Sequence, residues 1–166
     1  MSSKPTKLFA QIPVVAALVL CPLPALAQEV GQQESEEAEG QSVVELFIGN
    51  TRAETHFGDE NALSVGLSYH RLLNPTVSVG VLGEYASDPL DSWVLGVPVI
   101  FRVGKGWQFT AMPGVEREHG KSEFLFRTGI GYEFELKGYS LKPEVSADFV
   151  DGDVAIVTGL SVGFRF

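Results

Sequence analysis

The strongest constraint in this chain is a period of two. Residues 154–166 read VAIVTGLSVGFRF, with Val154, Ile156, Leu160, Val162, Phe164 and Phe166 on one parity; Ala155, Gly159, Ser161, Gly163 and Arg165 fill the other. Residues 123–136 repeat the pattern, Phe124, Phe126, Ile130, Tyr132, Phe134 and Leu136 alternating with Glu123, Arg127, Gly129, Gly131, Glu133 and Glu135. Successive side chains of a strand point to opposite faces, so this is a strand pattern and not a helical one. Turn residues cut the region into eight such segments, at 43–53, 62–71, 76–86, 93–103, 107–118, 123–136, 139–150 and 154–166. Leu73-Asn74-Pro75, Gly104-Lys105-Gly106 and Lys137-Gly138 read as tight turns, the last two supplying glycines for positive φ. Strands of about eleven residues exceed the usual globular length and suit a tilted strand crossing hydrocarbon. Eight of them in up-and-down order can close on themselves and leave no edge. The expected fold is all-β, an eight-stranded antiparallel up-and-down transmembrane β-barrel.

Alternation alone does not say which face is inside; the composition of the less greasy parity does. It holds glycines 49, 66, 80, 96, 114, 129, 131, 159 and 163 and serines 64, 68, 78, 140, 146 and 161. A solvated face is dense in Lys and Glu, whereas residues without bulk suit the cramped interior of a small barrel. The same parity carries Glu45, Glu84, Arg102, Glu116, Arg127, Glu133, Glu135, Lys142, Glu144, Asp148 and Arg165. These acids and bases are expected to pair in the lumen as a charge network, because buried charge requires a partner. The opposite parity offers Leu, Val, Ile and aromatics, with Trp93, Trp107, Tyr85, Tyr132 and Tyr139 near strand ends, as a lipid-facing band with aromatic girdles would. A soluble barrel with an apolar interior is the reading this composition opposes. The links agree: the tight turns carry Arg71, Lys105 and Lys137, and the opposite loops carry Asp59, Glu60, Asp88, Asp91, Glu118, Asp151 and Asp153 beside Lys121.

The N-terminal part reads differently. Lys4 and Lys7 precede an apolar stretch from Leu8 to Leu23 that is broken by Gln11 and prolines, and Ala25-Leu26-Ala27 follows. That is the pattern of a secretory leader, and cleavage after Ala27 is expected. Cys21 is preceded by the bulky Leu20, which disfavours a lipoprotein signal. Residues 28–42 (QEVGQQESEEAEGQS) hold five glutamates and one aliphatic side chain, Val30, and are expected to form a disordered acidic tail. The barrel domain is expected over 43–166. Twelve Lys and Arg against twenty-one Asp and Glu leave a net charge of −9, which excludes a nucleic-acid binder that works by phosphate neutralisation. A single cysteine excludes a disulfide framework and a cysteine-cluster metal site.

Phe166, with Leu160, Val162 and Phe164 before it, resembles the C-terminal assembly signal of bacterial outer-membrane barrels. With the leader and the eight alternating segments, residues 43–166 resemble the small eight-stranded outer-membrane proteins of the OmpA and OmpX kind. Gly131-Tyr132-Glu133-Phe134, Lys142-Pro143-Glu144-Val145 and Asp148-Phe149-Val150-Asp151-Gly152-Asp153 are similar to segments of small members of that class. The resemblance implies a Gram-negative outer membrane, insertion by the barrel-assembly machinery, and lipid and lipopolysaccharide as neighbours; a monomer is expected. It implies no activity, since one barrel hosts many functions. Two departures from the OmpA pattern are expected: no peptidoglycan-binding domain after the barrel, and loops too short for an adhesin built on long hairpins.

Candidate chemistry is sparse, and no catalytic, cofactor-binding or metal-ligating residues are expected. His56 and His119 fall in or beside loops. His70 is inward by parity with Ser68 on the same face, in the reverse order to the His and Ser of lipid A deacylase barrels. Pairing the second and third strands across Asn74 would set Ser64 opposite Glu84, too far from His70 for a triad. Prolines 98, 113 and 143 interrupt strand patterns, and Pro98 and Pro113 fall on adjacent strands. The expected cause is a β-bulge; the alternative is a lateral gap serving a lipid-modifying or lipid-handling barrel. Asp151-Gly152-Asp153 lacks the spacing of a dedicated calcium loop. A conducting pore is not expected, because side chains fill so narrow a lumen.

Overall fold

A computed structural model describes residues 41–55, 58–118 and 120–166. The expected leader, tail residues 28–40, His56 and His119 lie outside them. The strands are β1 (Ser42–Thr55), β2 (Gly58–Asn74), β3 (Val77–Ala86), β4 (Ser92–Gly96), β5 (Val99–Val103), β6 (Trp107–Glu118), β7 (Lys121–Tyr132), β8 (Phe134–Glu135), β9 (Ser140–Val150) and β10 (Asp153–Arg165). They make eight staves, because β4 and β5 are halves of the fourth and β7 and β8 are parts of the sixth. Each stave pairs antiparallel with the next, and β10 returns to β1 from Val43↔Arg165 to Ala53↔Ala155. Ser42 and Phe166 exchange both backbone hydrogen bonds at 2.9 Å, which seals the seam.

Two local details depart from the sequence reading. The first turn sits one residue later than Leu73-Asn74-Pro75 suggests, because the Asn74 side-chain oxygen accepts from the N–H groups of Thr76 and Val77, both at 2.8 Å. The β2–β3 register also slips between Leu72 and Asn74, so Glu84 lies across from Gly66, and Ser64 across from Ala86. The pairing of Ser64 with Glu84 is thereby corrected.

The expected bulge at Pro98 and Pro113 is corrected as well. A bulge inserts a residue and shifts the pairing by one. Here β4 and β5 keep a single register against β3, from Leu82↔Gly96 to Val79↔Val99. They also keep a single register against β6, from Gly96↔Gly114 to Val99↔Ala111. The ladder lacks only the N–H groups that proline cannot supply. Both proline carbonyls still bond across the wall, Pro98 accepting from Gly80 N–H at 3.1 Å and Pro113 from Val97 N–H at 3.0 Å. Pro98 faces inward, and Pro113 faces out.

Pairing sorts the two parities onto two faces. Outward stand Leu46, Ile48, Leu63, Leu67, Val81, Leu95, Phe124, Phe126, Leu160 and Phe164, all substantially exposed. So continuous an apolar band is foreign to a monomeric soluble surface and matches hydrocarbon. Tyr85 and Trp93 pack with ring centroids 4.8 Å apart and tilted by 40° near the loop end, and Trp107, Tyr132 and Phe134 form a second aromatic group near the turn end. Inside, glycine does steric work. Gly49 pairs with Gly159, the Phe47 ring lies over both, and a Cβ at Gly159 would collide with that ring and with the Ile48 carbonyl.

The interior is not only small and charged. Val94, Met112 and Leu125 are buried together with Leu82 and Val150 against them. Nearer the loop end Leu90 packs on Ala62 and Ala86. These layers fill space that the charge network leaves dry. Gly159→Ala is expected to destabilise the barrel by about 1–3 kcal/mol through overpacking, seen as a lower urea midpoint for the folded band on unboiled gels. An unchanged midpoint would contradict this packing.

Candidate functional site

The lumen is where chemistry-bearing side chains meet, since inward parity aims them all at one axis. Near the loop end Arg127 of β7 reaches across to β3 and sideways to β9. Its Nη1 donates to Glu84 Oε2 at 2.6 Å, its Nε to Asp148 Oδ1 at 2.6 Å and its Nη2 to Asp148 Oδ2 at 2.7 Å. All three side chains are buried. The fork-on-carboxylate geometry is the strong form of the pair and fixes both partners.

Deeper toward the turn end, Lys142 Nζ donates to Glu45 Oε2 at 2.8 Å and stands 3.3 Å from Glu144 Oε2. Ser161 donates to the other oxygen of Glu144 at 2.5 Å, and Ser68 donates to Glu45 at 3.5 Å. At the turn-end mouth Arg165 holds Glu135 at 2.9 Å and Glu133 at 3.4 Å, while Arg102 Nε lies 3.9 Å from Glu133. Of the eleven charges named for the lumen network, Glu116 is the one that joins no ion pair with another of them among the described residues; it hydrogen-bonds Ser92 and faces Glu123 across the ladder.

Gln108, absent from the expected charge network, is buried and donates to Glu133 Oε2 at 2.6 Å. Its signal was its register position, inward between the outward Trp107 and Phe109. Ser64 and Ser78, expected in the lumen only as side chains without bulk, are also hydrogen-bonded there: Ser78 accepts from Arg102 at 3.1 Å, and Ser64 pairs with the buried Thr51 hydroxyl.

These clusters divide the interior. A cavity of about 780 Å³ opens at the turn end, lined by Arg102, Lys105, Gln108, Glu133, Glu135 and Arg165 among others. One of about 110 Å³ lies toward the loops, beyond Glu84 and Asp148. Between them is a cavity of about 50 Å³ bordered by Pro98, Met112 and Arg127. The middle space is on the scale of a water or two and cannot hold an acyl chain.

His70 is fully buried, but its Nε2 faces Arg102 Nη2 at 3.4 Å. Arginine can only donate, so Nε2 accepts and Nδ1 carries the hydrogen. His70 is therefore turned to Arg102, and Ser68 to Glu45 instead. Among the described residues no group of three or more His, Cys, Asp or Glu is arranged to hold a metal ion.

No family model matches this sequence, and no curated protein does. Solved structures share its fold. Neisserial surface protein A (NspA) superposes with a TM-score of 0.62 at 12% identity, covering 77% of this chain and 100% of its own. The N-terminal β-barrel domain of Pseudomonas aeruginosa OprF gives 0.56 at 18%, covering 77% and 100%. Yersinia pestis Ail, the attachment invasion locus protein, in complex with the heparin analogue sucrose octasulfate gives 0.55 at 15%, covering 77% and 99%. The wall built by β1 to β10 is thus the eight-stranded antiparallel barrel of small transmembrane proteins.

Arg127→Met is expected to cost about 3–5 kcal/mol, because it strands two buried carboxylates. Adding Glu84→Gln and Asp148→Asn to it should restore most of that loss, as read from urea midpoints. A triple variant no more stable than Arg127→Met would show that the guanidinium's packing, not its charge, matters.

Proposed function

We propose that this chain is a non-enzymatic barrel of the Gram-negative outer membrane, with a structural or surface-interaction role. The observation that supports it most is the division of the wall: an apolar, aromatic-edged band outside, and a lumen closed by Arg127, Glu84 and Asp148 inside. A filled lumen conducts little, and a histidine fixed by arginine offers no activated nucleophile. In this reading the termini and short turns face the periplasm, the leader is removed after Ala27, and the barrel stands as a monomer among lipid and lipopolysaccharide. Leu160 and Phe164 lie on the outward face, and Phe166 is largely exposed. With Val162, they would be read by the barrel-assembly machinery before the seam closes.

The loop end sets the kind of partner. Glu60, Asp88, Asp91, Glu118, Asp151 and Asp153 stand there with Lys121. A polysulfated sugar of the kind bound to Ail would meet like charge, so the fitting partners are cationic, or are phosphates bridged by divalent cations. The lipid-handling alternative needs a lipid-sized opening, and the in-register wall at Pro98 and Pro113 with its small cavity argues against one.

Two measurements test the proposal. Cysteines placed at Leu160 or Phe126 should resist a water-soluble maleimide in isolated outer membranes, while one at Lys105 should react once the membranes are opened. Free labelling of all three would end the membrane reading. Lipid A from cells with and without the gene should give one mass spectrum; a changed acyl pattern would favour the lipid-modifying alternative.

A further inference from the structure

The cavity of about 780 Å³ at the turn-end mouth is lined by charged and aromatic side chains alike. Arg102 of β5 and Gln108 of β6 face each other across the ladder, and both line it. Gln108 donates through Nε2 to Glu133 Oε2 at 2.6 Å, which leaves its Oε1 as an acceptor. Arg102 donates through Nη1 to Ser78 at 3.1 Å and turns Nη2 to His70, while its Nε stays 3.9 Å from Glu133 Oε2. Gln108 Oε1 and Arg102 Nε have no hydrogen-bond partner among the described residues. One inward ladder pair thus holds an unmet acceptor and an unmet donor. Buried atoms left this way are costly, and a group that supplies both a proton and a lone pair would serve them together.

The charges around the mouth narrow what that group can be. Arg102, Lys105 and Arg165 stand there with Glu133 and Glu135. An anion drawn to the cations would also approach two carboxylates, and a cation would meet three positive groups. A neutral hydroxyl escapes both penalties, because it donates and accepts at once. Trp107 and Tyr132, packed edge to face with centroids 5.1 Å apart, add apolar surface to the lining. Neutral hydroxyls around a ring with an apolar face are the chemistry of a sugar. The cavity also falls within the range of about 300–1,000 Å³ typical of small-molecule sites.

We propose that the turn-end mouth binds a neutral sugar, with a hydroxyl bridging Gln108 Oε1 and Arg102 Nε and one face of the ring against the Trp107–Tyr132 pair. Neither polar atom is exposed, so Arg102 and Gln108 rotate toward the cavity they line as the sugar enters. The site lies at the opposite end of the barrel from the acidic loops and takes a ligand of different charge. It needs only the folded wall, and so stands apart from the choice of membrane and of surface partner.

With Trp93→Phe, Trp107 is the chain's one tryptophan, and its emission reports the site. The full chain is folded in a detergent without a sugar headgroup, and folding is checked by its shifted band on unboiled gels. Glucose, N-acetylglucosamine and the N-acetylglucosamine trimer are the neutral probes. They should change the emission saturably, with the same affinities by calorimetry on the unsubstituted chain. Glucuronate and, at about pH 6, glucosamine should bind about tenfold more weakly than glucose and N-acetylglucosamine. Gln108→Met keeps the side chain's length but removes Oε1, and should weaken N-acetylglucosamine binding about tenfold. Should that variant fail to fold, the charge comparison on the unsubstituted chain decides. Tighter binding of the trimer than of the single sugar would assign the mouth to a glycan end, and equal affinity to a free sugar. No saturable response to any neutral probe by either method would leave the mouth to water and overturn the proposal. So would charged sugars binding as well as neutral ones, or undiminished affinity in folded Gln108→Met.

Discussion

Closure of the sheet is the constraint from which the rest follows. Once Ser42 and Phe166 join the first stave to the last, none of the described staves has a free edge, and backbone polar groups are met within the wall. A closed ring of eight staves also fixes how much side-chain volume its inner face can hold. Glycine at 49 and 159 beneath the Phe47 ring, and Gly96 beneath the thioether of Met112, are local answers to that limit. The outward face has no such limit and carries most of the Leu, Phe and Trp residues.

The lumen then becomes an electrostatic problem. Charges withdrawn from water need partners at short range, and the staves supply them across the barrel instead of along one strand. Arg127 spans from β7 to β3 and Lys142 from β9 to β1. Such cross-lumen pairs act as struts, tying staves that share no ladder. Apolar layers at Met112 and Leu90 lie beside the struts and keep the local dielectric low, which strengthens the pairs and raises the cost of breaking one.

Much of this was legible in the sequence because a strand's period of two is strict: one parity assignment places every residue of a stave. Gly129, Arg127 and Glu133 fall inward in β7 and its extension for the same reason that Phe124 and Phe126 fall outward. Three things were not legible. Val94, Met112 and Leu125 are large apolar residues on the inner parity, and their mutual contact depends on the alignment of β4, β6 and β7, not on any one strand. The β2–β3 register turned on the Asn74 side chain capping two N–H groups, a choice that Leu73-Asn74-Pro75 does not display. Pro98 and Pro113 looked like the cause of an inserted residue, but each strand can lose a donor without changing its count when the proline carbonyls still bond across.

The short connection from β3 to β4 folds back over the barrel. Ser87 N–H bonds the Leu63 carbonyl, Leu90 and Asp91 N–H groups return to the Ser87 carbonyl, and Leu90 itself sinks onto Ala62 and Ala86. A protease needs several residues of extended chain to thread its cleft, and a hairpin corked by its own leucine presents almost none. Nicking at this crossing would require Leu90 to be withdrawn first, so resistance to digestion here follows from the greasy plug and not from the loop's brevity alone.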